Sequence, residues 1–279
     1  MAGYLKKFCE RAEVKLKEIT GVLPRGVHFF RKDYLIRNFG DELSPILVRE
    51  VLRQHLSLKV RDLHARSDRK LFAIGSILHF AKTGDFVWGS GVNGKVANEA
   101  HTFTSLDVRA VRGPLTRDYL LSRGVNCPPI YGDPALLLPH FMPAKSLPRR
   151  SPKDYIVIPN YNDLPLFEGE RNIVSPLSPL RRVLSEIVSS KLVIASSLHG
   201  VILAEAYGVP AVLLMPEGHG EHIFKYRDYY AGTGRLEFPV ASSIAEALKA
   251  GRANIPEFDP EALLKAFPLD FYSGSSGEL

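Results

Sequence analysis

Cysteine is scarce in this chain. Cys9 and Cys127 are its two thiols; they lie far apart and match no metal or redox spacing, which excludes a disulfide scaffold and makes a reducing compartment the default. A signal-peptide pattern is also missing, because the first residues alternate charge with apolar side chains instead of forming a continuous apolar run. No run is suited to span a bilayer: the most apolar stretch, Lys191 to Met215, contains His199 and Glu205 and is broken by Gly208 and Pro210. Basic clusters interleaved with aromatics are absent, as are recognised nucleic-acid motifs, and this argues against a nucleic-acid partner. No internal repeat is visible beyond two α/β halves.

Enough apolar side chain remains to build a core, since 45% of the 279 residues are hydrophobic. That length is comfortable for two α/β domains. The formal charge of +6 and a pI near 9.2 favour anionic partners: phosphorylated substrates, acidic glycans or a lipid surface.

The stretch from Lys191 to Met215 organises the rest. Leu192-Val193-Ile194 reads as a strand, Ala195-Ser196-Ser197 as a turn, and an apolar helix follows His199-Gly200. Gly208-Val209-Pro210 then leads to a second strand, Ala211 to Met215. This is one β-turn-α-turn-β unit of a parallel sheet. Its first turn is where such sheets hold ligands, because unpaired helix N–H groups there favour anions. His199 sits in that turn, as a titratable group beside an anion cradle or simply as a cap or packed side chain.

Residues 4 to 19 place Leu5, Phe8, Cys9, Ala12, Leu16 and Ile19 at helical spacing, with basic residues mostly elsewhere around the wheel. A basic amphipathic helix can lie on an anionic membrane face, but an ordinary N-terminal helix with a solvated side is the preferred reading. Ser44-Pro45 reads as N-cap and first residue of the next helix. Asn38 to Glu42 then forms a loop that presents Asp41 and Glu42 at the top of the sheet.

Strands are predicted at Lys70–Ile74, ending at Gly75-Ser76, and at Phe86–Trp88, ending at Gly89-Ser90-Gly91. Glycine at a strand end lets a backbone or ligand come close. GSGVNG (89–94) satisfies GxGxxG, yet it does not follow the first strand and leaves little room for a helix, so a dinucleotide fingerprint is rejected. A strand from Asp107 to Val111 runs into Arg112, whose guanidinium can fork onto phosphate or carboxylate or form a surface salt bridge. Pro114 opens a helix closed by Gly124, and Tyr131 to Pro134 forms a tight turn.

The four prolines of Pro139 to Lys153 mark the best linker in the chain. Another strand starts at Tyr155, an amphipathic helix covers 179 to 190, and short helices are predicted at 242–250 and 259–266. His219, Glu221 and His222 match no recognised metal set. Lys225 and Arg227, in aromatic surroundings, suit an anion better. The tail from Ser273 is expected to be disordered.

Taken in order, NFGDELSP (38–45), the strand-end glycines at 75 and 89–91, VRGPLTR (111–117), GDPALLLP (132–139) and SSLHGVILAEAYGVPAV (196–212) resemble the polysaccharide pyruvyl transferase family. The resemblance covers most of residues 35 to 232. It implies an α/β fold with two Rossmann-like domains facing a cleft, similar to two-domain glycosyltransferases of the GT-B type. The implied extents are 1–145 on the acceptor side, 146–258 on the donor side, and 259–279 as a returning C-terminal helix plus tail.

The resemblance also implies phosphoenolpyruvate as donor and a sugar diol, lipid-linked or free, as acceptor. The product would be a pyruvate ketal made with loss of phosphate in cell-surface polysaccharide biosynthesis. No metal and no separate cofactor are implied; the location is the cytoplasm, with peripheral contact at the inner membrane face. Carried over by motif position, Arg112, His199 and Lys225 belong to the donor site, and Asp41, on the acceptor side, either acts as the base or only orients the sugar. Asn38, Gly75, Ser76, Gly89, Ser90, Gly91 and Ser197 are the expected substrate-binding positions. Removing the His199 or Arg112 side chain is expected to abolish phosphate release while leaving the fold intact.

Two rivals remain. AEAYGVPAV (204–212) also looks like the donor domain of a sugar-nucleotide-dependent glycosyltransferase or epimerase, with Glu205 holding a ribose. A non-catalytic glycan- or lipid-surface-binding protein is the alternative from another class.

Overall fold

The computed structural model describes residues 24, 26–30, 38–56, 68–250 and 255–272. The amphipathic segment 4–19 and the tail from 273 lie outside the described residues. Two four-stranded sheets, parallel throughout, follow one another along the chain. The first comprises β1 (Val27–His28), β2 (Leu71–Phe72), β3 (Phe86–Trp88) and β4 (Asp107–Ala110), and the second β5 (Ile156–Ile158), β6 (Val193–Ala195), β7 (Ala211–Leu214) and β8 (Val240–Ala241). In both sheets the spatial order is the sequence order. β2, β3, β5, β6 and β7 are short apolar runs buried along their whole length, as parallel strands covered on both faces must be. The α/β class expected from the sequence is therefore observed.

The helix at the top of the first sheet differs from its expected form. α1 spans Phe39–Leu56, with Pro45 inside it, so Phe39 to Glu42 are its first turn and not a loop. Asn38 closes that end, its side-chain oxygen accepting from the Gly40 N–H at 3.0 Å. Ser44, expected as a cap, is used elsewhere: it donates to the Ile74 carbonyl and accepts from the Ile74 N–H at 3.0 Å. That pair pins α1 to the end of β2. Phe39, Leu43, Leu47, Val51 and Leu52 of α1 are buried. They belong to one apolar cluster that also contains Trp88 of the first sheet and Ile156, Ile158 and Leu198 of the second half.

Four further helices frame the site: α2 (Pro114–Ser122), α4 (Leu180–Ile187), α5 (Leu198–Ala206) and α6 (Phe224–Gly232), with the short α3 (Leu138–Phe141) before the second sheet. α6 packs on α2 with backbone against backbone, because a Cβ at Gly113 would collide with the Asp228 carbonyl and one at Gly232 with the Arg112 carbonyl. The chain ends with α7 (Ile244–Ala247) and α8 (Pro260–Lys265). α8 and the segment after it rest on the first sheet. Trp88 donates to the Leu263 carbonyl at 2.7 Å, Phe271 lies 4.8 Å from Phe86 between ring centroids, and Asp270 pairs with Arg109 at 2.7 Å. Among the described residues no helix is long and apolar enough to cross a membrane.

Candidate active site

A cavity of about 360 Å³ opens between the two halves. Asn38, Asp41, Gly75 and Ser76 line it from the first half, and Ser197, His199 and Lys225 from the second. His199 is placed by the β6-to-α5 turn: Ser197 caps α5, accepting from the Gly200 N–H at 3.3 Å. Gly200 lets the helix close on the sheet, since a Cβ there would lie 3.0 Å from the Ala195 Cβ and 3.1 Å from Ile158. The imidazole therefore leaves the first turn of α5 and reaches across to α1. There a Cβ on Gly40 would lie 2.5 Å from Nδ1.

The environment of His199 disfavours its charged form. Burial, and then the cations of Lys225 and Arg112, push it down to about 3. An isolated imidazole titrates near neutrality; these surroundings favour the neutral ring, and an anion beside it would favour the charged one. Its Nε2 is buried, bonds to nothing among the described residues, and faces Asp133 Oδ2 at 3.9 Å. Asp133 is itself fully buried, and burial pushes its carboxyl up to about 7 against the opposing pull of the Ala135 N–H and Arg112.

Cationic charge converges at the other wall. Glu221 holds Lys225 through one oxygen at 2.7 Å and Lys95 through the other at 2.6 Å. All three residues line the cavity. Burial lowers Lys225, against the attraction of Glu221; for Glu221 burial works the opposite way, yet the two ammonium groups hold its carboxyl below the usual range. Two cations thus share a single carboxylate, leaving one positive charge uncompensated within the cluster.

Arg112 does not line the cavity. It is wholly buried: Nε and Nη2 engage Asp228 at 3.0 and 2.9 Å, Nη1 donates to Ser76 Oγ at 2.5 Å and Nη2 to the Val92 carbonyl at 2.8 Å. Asp228 is completed by the Thr116 N–H at 2.9 Å and hydroxyl at 2.6 Å. The guanidinium therefore braces the wall through Ser76, and its fork is already filled by a carboxylate.

The glycines at 89 and 91 serve that bracing. A Cβ on Gly91 would lie 2.5 Å from the guanidinium carbon of Arg112, and one on Gly89, at φ +90°, would run into Pro134. Ser90 donates to the Gly75 carbonyl at 2.8 Å. These three residues sit behind the wall, whereas Gly75 and Ser76 form it.

Lys95, Asp133 and Glu221 were not singled out by the sequence reading as site residues. Glu221 looked like part of a His/Glu-rich loop, and Asp133 like a turn residue. His219 of the same loop is bound to the buried Asp163 at 2.7 Å, so it does not converge with Glu221. Burial opposes the charged form of Asp163, but bonds from His219 and Ser196 hold it below its usual range. Glu205, which a nucleotide-binding reading needs facing a ribose, is taken up by Arg235 at 2.6 and 2.8 Å and by the Tyr229 hydroxyl at 2.6 Å.

The chain is similar to proteins already known. The succinoglycan biosynthesis protein ExoV of Rhizobium meliloti (strain 1021) is 28% identical over 228 residues, covering 77% of this chain and 68% of that protein. The crystal structure of KP1_0663 from Klebsiella pneumoniae subsp. pneumoniae NTUH-K2044 is similar at 15% identity with a TM-score of 0.49, over 84% of this chain and 98% of that one. The family model for polysaccharide pyruvyl transferases matches residues 38–217, well over half of the sequence. The chain belongs to the polysaccharide pyruvyl transferase family.

Proposed function

We propose that the protein transfers the pyruvyl unit of phosphoenolpyruvate to two hydroxyls of one sugar, forming a pyruvate ketal and releasing phosphate. The observation that supports this reading is one cavity lined by His199, Lys225 and Lys95 together with Asp41 and Asn38. Phosphoenolpyruvate carries a phosphate and a carboxylate, so it needs several cations with little competing negative charge. Lys225 and Lys95 meet that need once the donor displaces Glu221 from one of them. A donor anion beside His199 also favours its protonated form, offsetting the burial and cationic neighbours that favour the neutral ring.

In this reading a proton reaches the methylene carbon of the donor from His199 and leaves an oxocarbenium-like centre. The first sugar hydroxyl adds there while Asp41 accepts its proton. The second hydroxyl then displaces phosphate, which leaves carrying one proton. The sugar ring lies toward the aromatic mouth of the cavity, where Phe30 and Phe80 are exposed with ring centroids 5.9 Å apart. The two halves act as Rossmann-like domains in a GT-B-like arrangement, residues 1–145 serving the acceptor and 146–258 the donor. The acceptor is a cell-surface polysaccharide or its lipid-linked precursor, met at the inner face of the membrane.

Incubation with phosphoenolpyruvate and a glycan carrying a free diol tests this. The expected result is phosphate release matched by an acceptor mass gain of one pyruvate ketal. Thermal stabilisation by uridine diphosphate but not by phosphoenolpyruvate would contradict it.

A further inference from the structure

Asp133 and His199 present two buried polar atoms to each other that no other described residue satisfies. Asp133 Oδ2 and His199 Nε2 are 3.9 Å apart, and neither has a hydrogen-bond partner among the described residues. A buried orphan of this kind costs about 1–3 kcal/mol, so two together need a reason. The separation is about 1 Å beyond an ordinary N···O bond, a gap that a small rotation of the ring closes, and such bonds are often long before substrate binds. The carboxyl itself is held firmly. Its Oδ1 accepts from the Ala135 N–H at 3.0 Å, Pro134 follows it, and Gly89 is the residue that makes room for that proline.

We infer that Asp133 is a positioning and proton-relay residue: it holds a proton for His199 on the side of the ring away from the donor. The inference rests on the pyruvyl-transfer reading above. A neutral imidazole alone is too weak an acid to protonate an alkene carbon, and Lys225 and Arg112 oppose a free-standing imidazolium. With a second proton source behind it the ring can act. The Asp133 O–H bond breaks as Nε2–H forms, and Nδ1–H breaks as the new C–H bond forms at the donor methylene. The electron pair of the C=C bond enters that C–H bond, leaving the adjacent carbon electron-poor. The second sugar hydroxyl later returns its proton to Nδ1, Nε2–H passes back to Asp133, and the first hydroxyl's proton leaves on phosphate through Asp41. The relay is restored each turnover. The raised carboxyl of Asp133, at about 7, keeps its proton available near neutrality.

Asp133→Asn separates the relay from a structural role. The amide keeps the bond to Ala135 and can hydrogen-bond Nε2, but it cannot pass a proton. The relay predicts that kcat for phosphate release falls about 100-fold, with stabilisation by phosphoenolpyruvate unchanged. It also predicts that wild-type kcat declines as pH rises past the Asp133 carboxyl and that the variant loses this limb. Near-wild-type kcat in Asp133→Asn, or the same limb in both proteins, overturns the inference. Should the variant not fold, infrared spectra of the wild type decide: a protonated-carboxyl stretch must disappear as pH rises through neutrality and shift when phosphoenolpyruvate is added, and its absence overturns the relay. A wild type that makes no ketal from phosphoenolpyruvate overturns the parent reading instead.

Discussion

Gly40 and His199 meet where the first turn of α1 touches the first turn of α5, and glycine is required for the contact: a Cβ at position 40 would lie 2.5 Å from Nδ1 of the ring. One residue from each half thereby sets where the imidazole faces the cavity. Substitution by alanine pits two effects against each other. Helix propensity favours alanine by about 1 kcal/mol, whereas overpacking costs about 1–3 kcal/mol. The melting temperature of Gly40→Ala should therefore change little or fall modestly, while displacement of the ring lowers phosphate release at least about tenfold. Measuring both on one preparation checks this, and full activity would show that the contact does not position the ring.

Arg112 supports the fold as well as the site. Its removal was expected to leave the structure intact, but the Asp228 pair is wholly buried, and breaking such a pair costs about 3–5 kcal/mol. Arg112→Met and Asp228→Asn should each lower the denaturant midpoint strongly. The double variant should recover much of that loss, because neither charge is then stranded. Additive losses in the double-mutant cycle would contradict the coupling.

Glu221 bridges Lys95 and Lys225, which the proposed donor would need to meet. Glu221→Gln should tighten phosphoenolpyruvate binding about tenfold at low salt, and less as salt screens the ammonium groups. Lys95→Ala should weaken it. Calorimetric titration at two ionic strengths reads both effects, and weaker binding in Glu221→Gln would show that the carboxylate orients the lysines instead of competing with the donor.

Asp133 and His199 should also leave opposite marks on the pH dependence of stability. The His199 pKa falls from 6.5 to about 3 on folding, so the unfolded chain takes up the proton first and stability is lost as pH drops below 6.5. The Asp133 pKa rises from 3.8 to about 7, so its contribution is complete below 3.8 and is lost as pH climbs to 7. Between these limits the two slopes, each about 1.4 kcal/mol per pH unit, largely cancel. Relative to wild type, His199→Gln should gain stability as pH falls below 6.5, and Asp133→Asn should gain as pH rises toward 7. Denaturant titrations across that range test the signs.

Some of this was readable in the residues and some was not. Apolar runs ending in glycine announced β2 and β3, and one ending in Ala195-Ser196-Ser197 announced the strand before α5, because a buried parallel strand and its tight exit each restrict composition. The order of the motifs put Asn38, Asp41, Ser76, His199 and Lys225 on a common list, and the fold brings all five to one cavity. Contacts distant in sequence were hidden. Arg112 meets Asp228 only because Gly113 and Gly232 let two backbones approach, and no local pattern encodes that crossing. The start of α1 was misplaced for a related reason. Ser44 has the signature of a cap, but Ile74 of the neighbouring strand claims its hydroxyl, and Asn38 caps the helix instead.

The most direct test of the central claim follows the donor through the reaction. Wild-type protein, phosphoenolpyruvate and a diol-bearing glycan should yield phosphate and ketal in equal amounts, and His199→Ala should yield neither while remaining folded. Undiminished phosphate release in His199→Ala, or glycan modification without consumption of phosphoenolpyruvate, would contradict the account.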